Sequence, residues 1–217
     1  MSKKIDLINQ RFYFSNHSIT IKRVKNLDDL IDRVSDEEFA QDERLPYWAE
    51  LWPSAEALSR FIFKNPQFIS GRSILELGCG LGLTSISLAR QQPRKLVITD
   101  YEQAALDIAA MNFKQNKLPI PECKLMDWRY SSCERRYDCI VASDVVYEER
   151  FFLPLLRVFH QCLNEEGVII LAEPNRAVAR DFFALLKEKG YHFDIFPEAV
   201  MQDGKSIQVS IYTIRPL

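Results

Sequence analysis

Ser73-Ile-Leu-Glu-Leu-Gly-Cys-Gly-Leu-Gly-Leu-Thr84 is the stretch that decides the fold. A short apolar run carries Glu76, three glycines follow at alternate positions, and a helix-like segment begins after them. This is the pattern of a strand running into a turn where backbone must pass close to a ligand. A Cβ there would occupy the ligand's space, and such turns often need φ > 0. The spacing is Gly78-x-Gly80-x-Gly82 and not the G-x-G-x-x-G of dinucleotide binders. A tight strand–helix turn with no ligand would use the same glycines, so the rest of the chain has to decide.

Working outward, apolar runs alternate with amphipathic patterns from Ser73 onward, the signature of βαβ units around a parallel sheet. Strands are expected over 73–78, 95–99, 122–126, 138–143 and 167–172, with helices over 83–91, 102–116, 149–163 and 176–189. The run Tyr137–Ser143 is nearly all apolar, as a strand buried on both faces requires. Gly190 is placed to stop the last helix. Tyr191–Phe196 and Ser206–Ile214 read as two more strands joined near Gly204, so one of them runs antiparallel. The expected fold class is α/β: a Rossmann-like, seven-stranded, mostly parallel sheet with helices on both faces, over residues 46–217. Residues 1–45 read as an N-terminal extension. Within it, Arg11–Ser15 and Ser18–Val24 suggest a hairpin, 27–34 a short helix, and Ser35–Arg44 an exposed acidic segment. Pro46-Tyr-Trp-Ala-Glu-Leu-Trp-Pro53 is dense in aromatics, and Ser54 is placed to cap a helix ending near Lys64.

Net charge is −2 and 27% of residues are charged, a near balance that speaks against binding nucleic acid through phosphate neutralisation. No apolar run approaches the roughly 20 residues needed to span a bilayer, and the Met-Ser-Lys-Lys-Ile-Asp start has no apolar signal core. A cytoplasmic protein without a membrane anchor is expected. The five cysteines (Cys79, Cys123, Cys133, Cys139, Cys162) are odd in number, spread out and free of C-x-x-C spacing. That pattern predicts reduced thiols and neither a disulfide scaffold nor a bound metal. Cys79, inside the glycine loop, reads as a small residue filling a crowded turn.

Three strand ends carry further chemistry. Asp100 closes Leu96-Val-Ile-Thr-Asp100, twenty residues after Gly80, where a carboxylate can accept from both ribose hydroxyls of a nucleoside. Asp127-Trp128 follows the third strand and offers an acceptor for an exocyclic amine beside an apolar indole face. Ala142-Ser143-Asp144-Val-Val-Tyr147 follows the fourth strand, beside the expected switch in strand order, where ligands of open parallel sheets bind. Each has a bland counterpart: Asp100 and Asp144 as helix caps, Trp128 and Tyr147 as packing.

Glu76, Gly78, Gly80 and Gly82 together resemble the E-x-G-x-G-x-G motif of seven-strand S-adenosylmethionine-dependent methyltransferases. With Trp48-x-x-x-Trp52-Pro53, Asp127-Trp128 and Asp144-Val-Val-Tyr147, the chain is similar to the protein-lysine methyltransferases that carry a D-x-x-Y motif. Pro46-Tyr-Trp-Ala-x-x-Trp-Pro, Ala57-Leu-Ser-Arg60 with Asn65-Pro66, and Glu173-Pro174-Asn175-Arg176 resemble the branch acting on the electron-transfer flavoprotein β-subunit. The last stretch departs from that branch's Asp-Pro-Gly-Arg at two of its four positions, Glu173 and Asn175. The resemblance covers roughly residues 45–190. It implies S-adenosyl-L-methionine as cofactor and a protein with an exposed lysine as partner. Cofactor binding would fall to Trp52, Glu76, Gly78, Gly80, Gly82, Asp100, Asp127, Trp128 and Ser143, with Asp144 and Tyr147 where the substrate lysine enters.

Methyl transfer asks the protein for alignment and exclusion of water. At an unperturbed pKa near 10.4, only about one lysine in a thousand is neutral at pH 7.4. An aromatic-lined channel favours the neutral amine and a carboxylate favours the ammonium, so Asp144 reads as orienting the amine, with the proton's destination open. Other readings are a small-molecule N-methyltransferase acting on an amine or azole, a nicotinamide-dependent oxidoreductase, and a non-catalytic interaction module. Against the oxidoreductase, the third glycine is one position early and no Ser/Tyr-x-x-x-Lys set is visible. Against the module stand the intact loop and the strand-end carboxylates.

Overall fold

A computed structural model of the chain describes residues 6–32, 45–130 and 132–217. Strand β1 (Leu7–Phe14) and strand β2 (His17–Val24) form a two-stranded hairpin. Seven more strands make the main sheet: β3 (Ser73–Leu77), β4 (Lys95–Asp100), β5 (Glu122–Leu125), β6 (Tyr137–Ser143), β7 (Leu163–Glu173), β8 (Tyr191–Gln202) and β9 (Lys205–Pro216). Their order is β5-β4-β3-β6-β7-β9-β8, with only β9 antiparallel to its neighbours. The expected seven-stranded α/β sheet is the observed one. The chain leaves β3 toward β4 and β5, then returns to β6 on the other side of β3, so the topological switch lies between β3 and β6.

Alternation along the strands sorts the core into two layers. Ile74, Cys139, Val141, Val168, Ile170 and Ile211 face one side, under the helices Pro53–Lys64, Leu83–Arg90 and Gln103–Gln115. Leu75, Leu77, Ile140, Ala142, Ile169 and Leu171 face the other, under the helices Phe152–Cys162 and Ala179–Glu188. All five residues of β3 are buried, which is why its run is apolar apart from Ser73 and Glu76.

The N-terminal hairpin buries Phe12, Phe14, Ile19 and Ile21 in the first layer. Two asparagines of the helix Gln103–Gln115 staple it down. Asn112 accepts from the Lys22 N–H at 2.7 Å and donates to Lys22 O at 3.0 Å and to Leu81 O at 2.9 Å, which ties the hairpin to the glycine loop. Asn116 brackets Thr20 in the same way at 3.0 and 2.7 Å.

Several expected boundaries move. β1 starts at Leu7 and not Arg11, because it pairs with β2 along its whole length, Leu7 to Val24. The helix expected over 27–34 is the single turn Asp28–Ile31 in what is described, and the segment 35–44 lies outside the described residues. Ser54 is no cap: Pro53 takes the first helical position, Trp52 is the N-cap residue, and Ser54 is buried inside the helix. The helix expected over 149–163 opens as a 3-10 turn, Glu149–Phe151, and gives way to β7 at Leu163. Gly190 (φ +80°) ends the last helix as expected. Asp203 and Gly204, both at positive φ, turn β8 into β9.

The cysteine expectation is corrected at one pair. Cys133 and Cys162 form a disulfide with Cα atoms 5.4 Å apart, joining the loop before β6 to the end of the helix Phe152–Cys162. Cys79, Cys123 and Cys139 are free. The partners are 29 residues apart and meet only through the fold, so their spacing gave no sign of it. Among the described residues no helix is long and apolar enough to cross a membrane.

Candidate active site

The carboxyl ends of β3, β4 and β6 open into a cavity of about 650 Å³, within the usual range for small-ligand sites. Most of its wall comes from four segments, the glycine loop, the end of β4 with Tyr101, Ser143–Glu148 at and after the end of β6, and the aromatic stretch before Pro53, and Trp128 and Arg176 add to it from the loops after β5 and β7.

Gly78, Gly80 and Gly82 all have positive φ (+66°, +49° and +84°). The constraint is sharpest at Gly80, where an added Cβ would sit 3.2 Å from the Trp48 carbonyl oxygen, a backbone atom that cannot swing away. Gly82 is the N-cap residue of the helix Leu83–Arg90, whose first turn closes the floor of the loop. The loop is held from below by Asp100, buried at 4% exposure. One Asp100 oxygen accepts the Gly80 N–H at 2.9 Å and the other accepts the Glu102 N–H at 3.1 Å. Burial pushes the Asp100 carboxyl up to about 6, against the pull of these two N–H donors, so it is ionised at neutral pH.

Glu76 and Asp127 stand apart from the cavity wall. Glu76 is 1% exposed, accepts a hydrogen bond from the Ser85 hydroxyl, and is pushed up to about 8 by burial. It is a protonated carboxyl behind the loop. The Asp127 carboxylate is engaged by its near neighbour Arg129, with Nη2 at 2.6 Å and Nε at 2.9 Å. Trp128 does reach the wall, at 9% exposure, with its Nε1–H buried and unpartnered. Trp52 lines the opposite side, its Nε1–H donating to the Tyr47 carbonyl at 3.0 Å.

Asp144 and Tyr147 lie on the β6 side of the same cavity with Ser143. Asp144 adopts φ +60°, a conformation that aspartate tolerates better than most side chains, and its N–H is fixed to Ala172 O at 3.0 Å. Its Oδ1 is ion-paired with Arg176 Nη1, which also reaches Glu173 Oε1 at 3.2 Å. Tyr147 packs edge-on between Tyr47 and Phe151, with centroids 6.1 and 5.7 Å away. Burial pushes its phenol well above the usual range, so its hydroxyl keeps its proton at any working pH.

Tyr47, Trp48, Tyr101, Glu148 and Arg176 also line the cavity, although no strand-end or glycine pattern singled them out as site residues. For Tyr47 and Trp48 the usable signal was the aromatic density between Pro46 and Pro53. Arg176 stood in the sequence only as the end of the Glu173–Arg176 stretch of the resemblance, and nothing there showed that it meets Asp144 across 32 residues.

A protein-family profile described as lysine methyltransferase matches residues 36–189, well over half of the chain. The chain belongs to the lysine methyltransferase family. Among its relatives in that family is the electron transfer flavoprotein beta subunit lysine methyltransferase of Danio rerio. It is 33% identical over 138 residues, covering 63% of this chain and 53% of that protein. The human protein of the same name is 28% identical over 134 residues, 60% of this chain and 50% of its own. The chain therefore spans about half the length of these relatives. Protein N-lysine methyltransferase METTL21A of Xenopus tropicalis is 28% identical over 191 residues, 85% of this chain and 78% of that one. Among solved structures, magnesium protoporphyrin IX methyltransferase from Synechocystis with bound SAM aligns at a TM-score of 0.58. Its identity is 15%, and the match covers 88% of this chain and 92% of that one. Ribosomal protein L11 methylase from Lactobacillus delbrueckii aligns at 0.59 with 14% identity, over 75% of this chain and 80% of that one. At such identities the structural likeness speaks for the shared fold.

Proposed function

We propose that this protein transfers a methyl group from S-adenosylmethionine to the ε-amine of a lysine on a partner protein. The observation that carries the proposal is the charge of the cavity. Glu50, Asp100, Asp144 and Glu148 line it, against one basic side chain, Arg176, among the described residues. A glycine cradle with that excess of carboxylates suits a cofactor bearing a sulfonium and an ammonium, together with an amine substrate, and is poorly suited to a phosphate-bearing nucleotide.

The residues present fit the cofactor. The Gly78–Gly82 backbone leaves room that side chains would fill, Asp100 keeps acceptor capacity at the β4 end, and Trp128 offers an indole face. S-adenosylmethionine, when bound, supplies a methyl group already activated on sulfur. The protein's own work is then orientation and exclusion of water. Trp52 closes the N-terminal side, while Tyr47 and Tyr147 form an aromatic wall with Phe151 packed against Tyr147. An amine accepts a methyl only through its lone pair, and an apolar wall favours the neutral form. Asp144 orients that amine. A cytoplasmic location goes with this reading: the free thiols of Cys79, Cys123 and Cys139 support it, and the Cys133–Cys162 bridge is the one feature among the described residues that speaks against a reducing compartment.

The test is Asp144→Asn, assayed for cofactor affinity and methyl transfer on one preparation. Turnover should fall at least tenfold while S-adenosylmethionine affinity stays within a few-fold of wild type. Near-normal methylation would remove Asp144 from the substrate site, and loss of cofactor binding would move it into the cofactor pocket.

A further inference from the structure

The Asp144 carboxylate is already partnered before any substrate arrives. Its Oδ1 is held by Arg176 Nη1, its Oδ2 is enclosed without a hydrogen-bond partner, and its side chain is 4% exposed. The same guanidinium touches Glu173, which is fully buried and whose other oxygen accepts the Arg176 backbone N–H at 3.0 Å. Two buried carboxylates thus share one cation, and the Arg176 side chain remains 31% exposed at the cavity wall. Asn175, just before Arg176, adopts φ +64°.

A bare carboxylate beside the entering lysine would hold it as an ammonium, the unreactive form. We propose that Arg176 is a positioning residue: by neutralising Asp144 it lets that carboxylate orient the substrate amine without locking its proton on. This rests on the reading that Asp144 faces the substrate.

The surroundings leave Arg176 as the candidate for this task. From β4 the cavity receives Asp100 and Tyr101, and from the segment after β6 Tyr147 and Glu148. The N-terminal wall adds Tyr47 and Glu50, and the glycine loop adds the Cys79 thiol. All of these are acids, so each either adds negative charge or stays neutral. Arg150, whose charge reaches Tyr147, is paired with Glu148 at 2.5 Å and does not line the cavity. Arg176 is the only basic side chain among the described residues that line the cavity.

The experiment is the pH profile of methyl transfer on an acceptor protein or lysine peptide, with saturating S-adenosylmethionine, between about pH 6.5 and 10. Activity should rise with pH as the bound amine loses its proton. In Arg176→Gln this limb should move about one unit alkaline, because removing a neighbouring positive charge lets the amine hold its proton to higher pH. Activity at pH 7.5 would then fall by up to about tenfold and recover toward pH 10. Arg176→Lys, which keeps the charge, should hold the wild-type limb. Glu173→Gln, which removes a carboxylate from the same guanidinium, should move the limb the opposite way, and it serves as the test if Arg176→Gln does not fold. A uniform loss at every pH, with the limb in place, would mean that Arg176 only supports the loop and would overturn the proposal. So would an alkaline shift in Glu173→Gln. Normal methylation by Asp144→Asn marks a failure of the substrate-site reading itself. Impaired Asp144→Asn with an unmoved Arg176→Gln limb marks a failure of this inference alone.

Discussion

Replacing Asp100 by alanine separates the loop contacts that the structure shows for this carboxylate from the ligand role proposed for it. From below, Asp100 holds the glycine loop through the Gly80 and Glu102 N–H groups at 2.9 and 3.1 Å. It also lines the cavity, where the proposal assigns it the cofactor's ribose. Orphaning two backbone donors costs about 1–3 kcal/mol each when they stay buried. Here the cavity lets water reach the loop, so the low end applies, about 2 kcal/mol in total. For a chain of this size that lowers Tm by about 4–8 °C. Charge-assisted hydrogen bonds to ligand hydroxyls are worth about 1.5–3 kcal/mol each. Losing one weakens cofactor binding about tenfold, and losing two about a hundredfold or more. The assay pairs calorimetric titration with S-adenosylmethionine or S-adenosylhomocysteine and a thermal scan of the same sample. A lower Tm with unchanged affinity would strip Asp100 of its ligand role. Unchanged Tm would refute the stapling of the loop.

Other expectations follow from the same structure. Glu76 has its carboxyl pushed from about 4.5 to about 8 by burial, so the native state keeps a proton that the unfolded chain releases. Its stabilising effect is complete below pH 4.5 and is lost as pH rises toward 8, with a slope of at most about 1.4 kcal/mol per unit. Denaturant unfolding of Glu76→Gln at pH 5, 6.5 and 8 should show that slope flattened, and an unaltered slope would contradict the buried, protonated carboxyl. Closing a loop across 29 residues, the Cys133–Cys162 bridge should be worth about 3–4 kcal/mol on the chain-entropy estimate. Reduction or Cys162→Ser should therefore lower Tm by roughly 6–15 °C, and no change would show the bridge to be open in solution. Cofactor titration should quench tryptophan fluorescence, and Trp128→Ala should lose part of that quenching together with affinity. If both survive, the indole belongs to the core alone.

The centre of the sheet was legible because β3, β6 and β7 are buried on both faces: Leu75, Ile140 and Ile169 belong to one layer, Ile74, Val141 and Ile170 to the other, so these strands read as largely apolar runs. Edges of elements were less legible where pairing overrode composition, as when Leu7 and Gln10 joined β1 because Val24 and Ile21 lay opposite. Strand-end residues could be placed near the site, since topology alone brings Gly78, Asp100 and Asp144 to one end of the sheet. Side-chain commitments could not be read. The pairing of Asp127 with Arg129 depends on the turn that Trp128 and Tyr130 complete. The pairing of Asp144 with Arg176 depends on β6 and β7 lying side by side, with Ser143 opposite Ala172.

The central claim is methyl transfer to a protein lysine, and labelled cofactor tests it most directly. The protein is incubated with S-adenosylmethionine carrying a radioactive methyl group and a lysate from cells lacking this gene. The lysate proteins are then separated, and the labelled species is hydrolysed to amino acids. The account predicts a discrete labelled protein band whose label elutes as N-ε-methylated lysine, absent with Asp144→Asn. Label confined to the small-molecule fraction, or no label from a protein that binds NADH tightly and S-adenosylmethionine not at all, would contradict it.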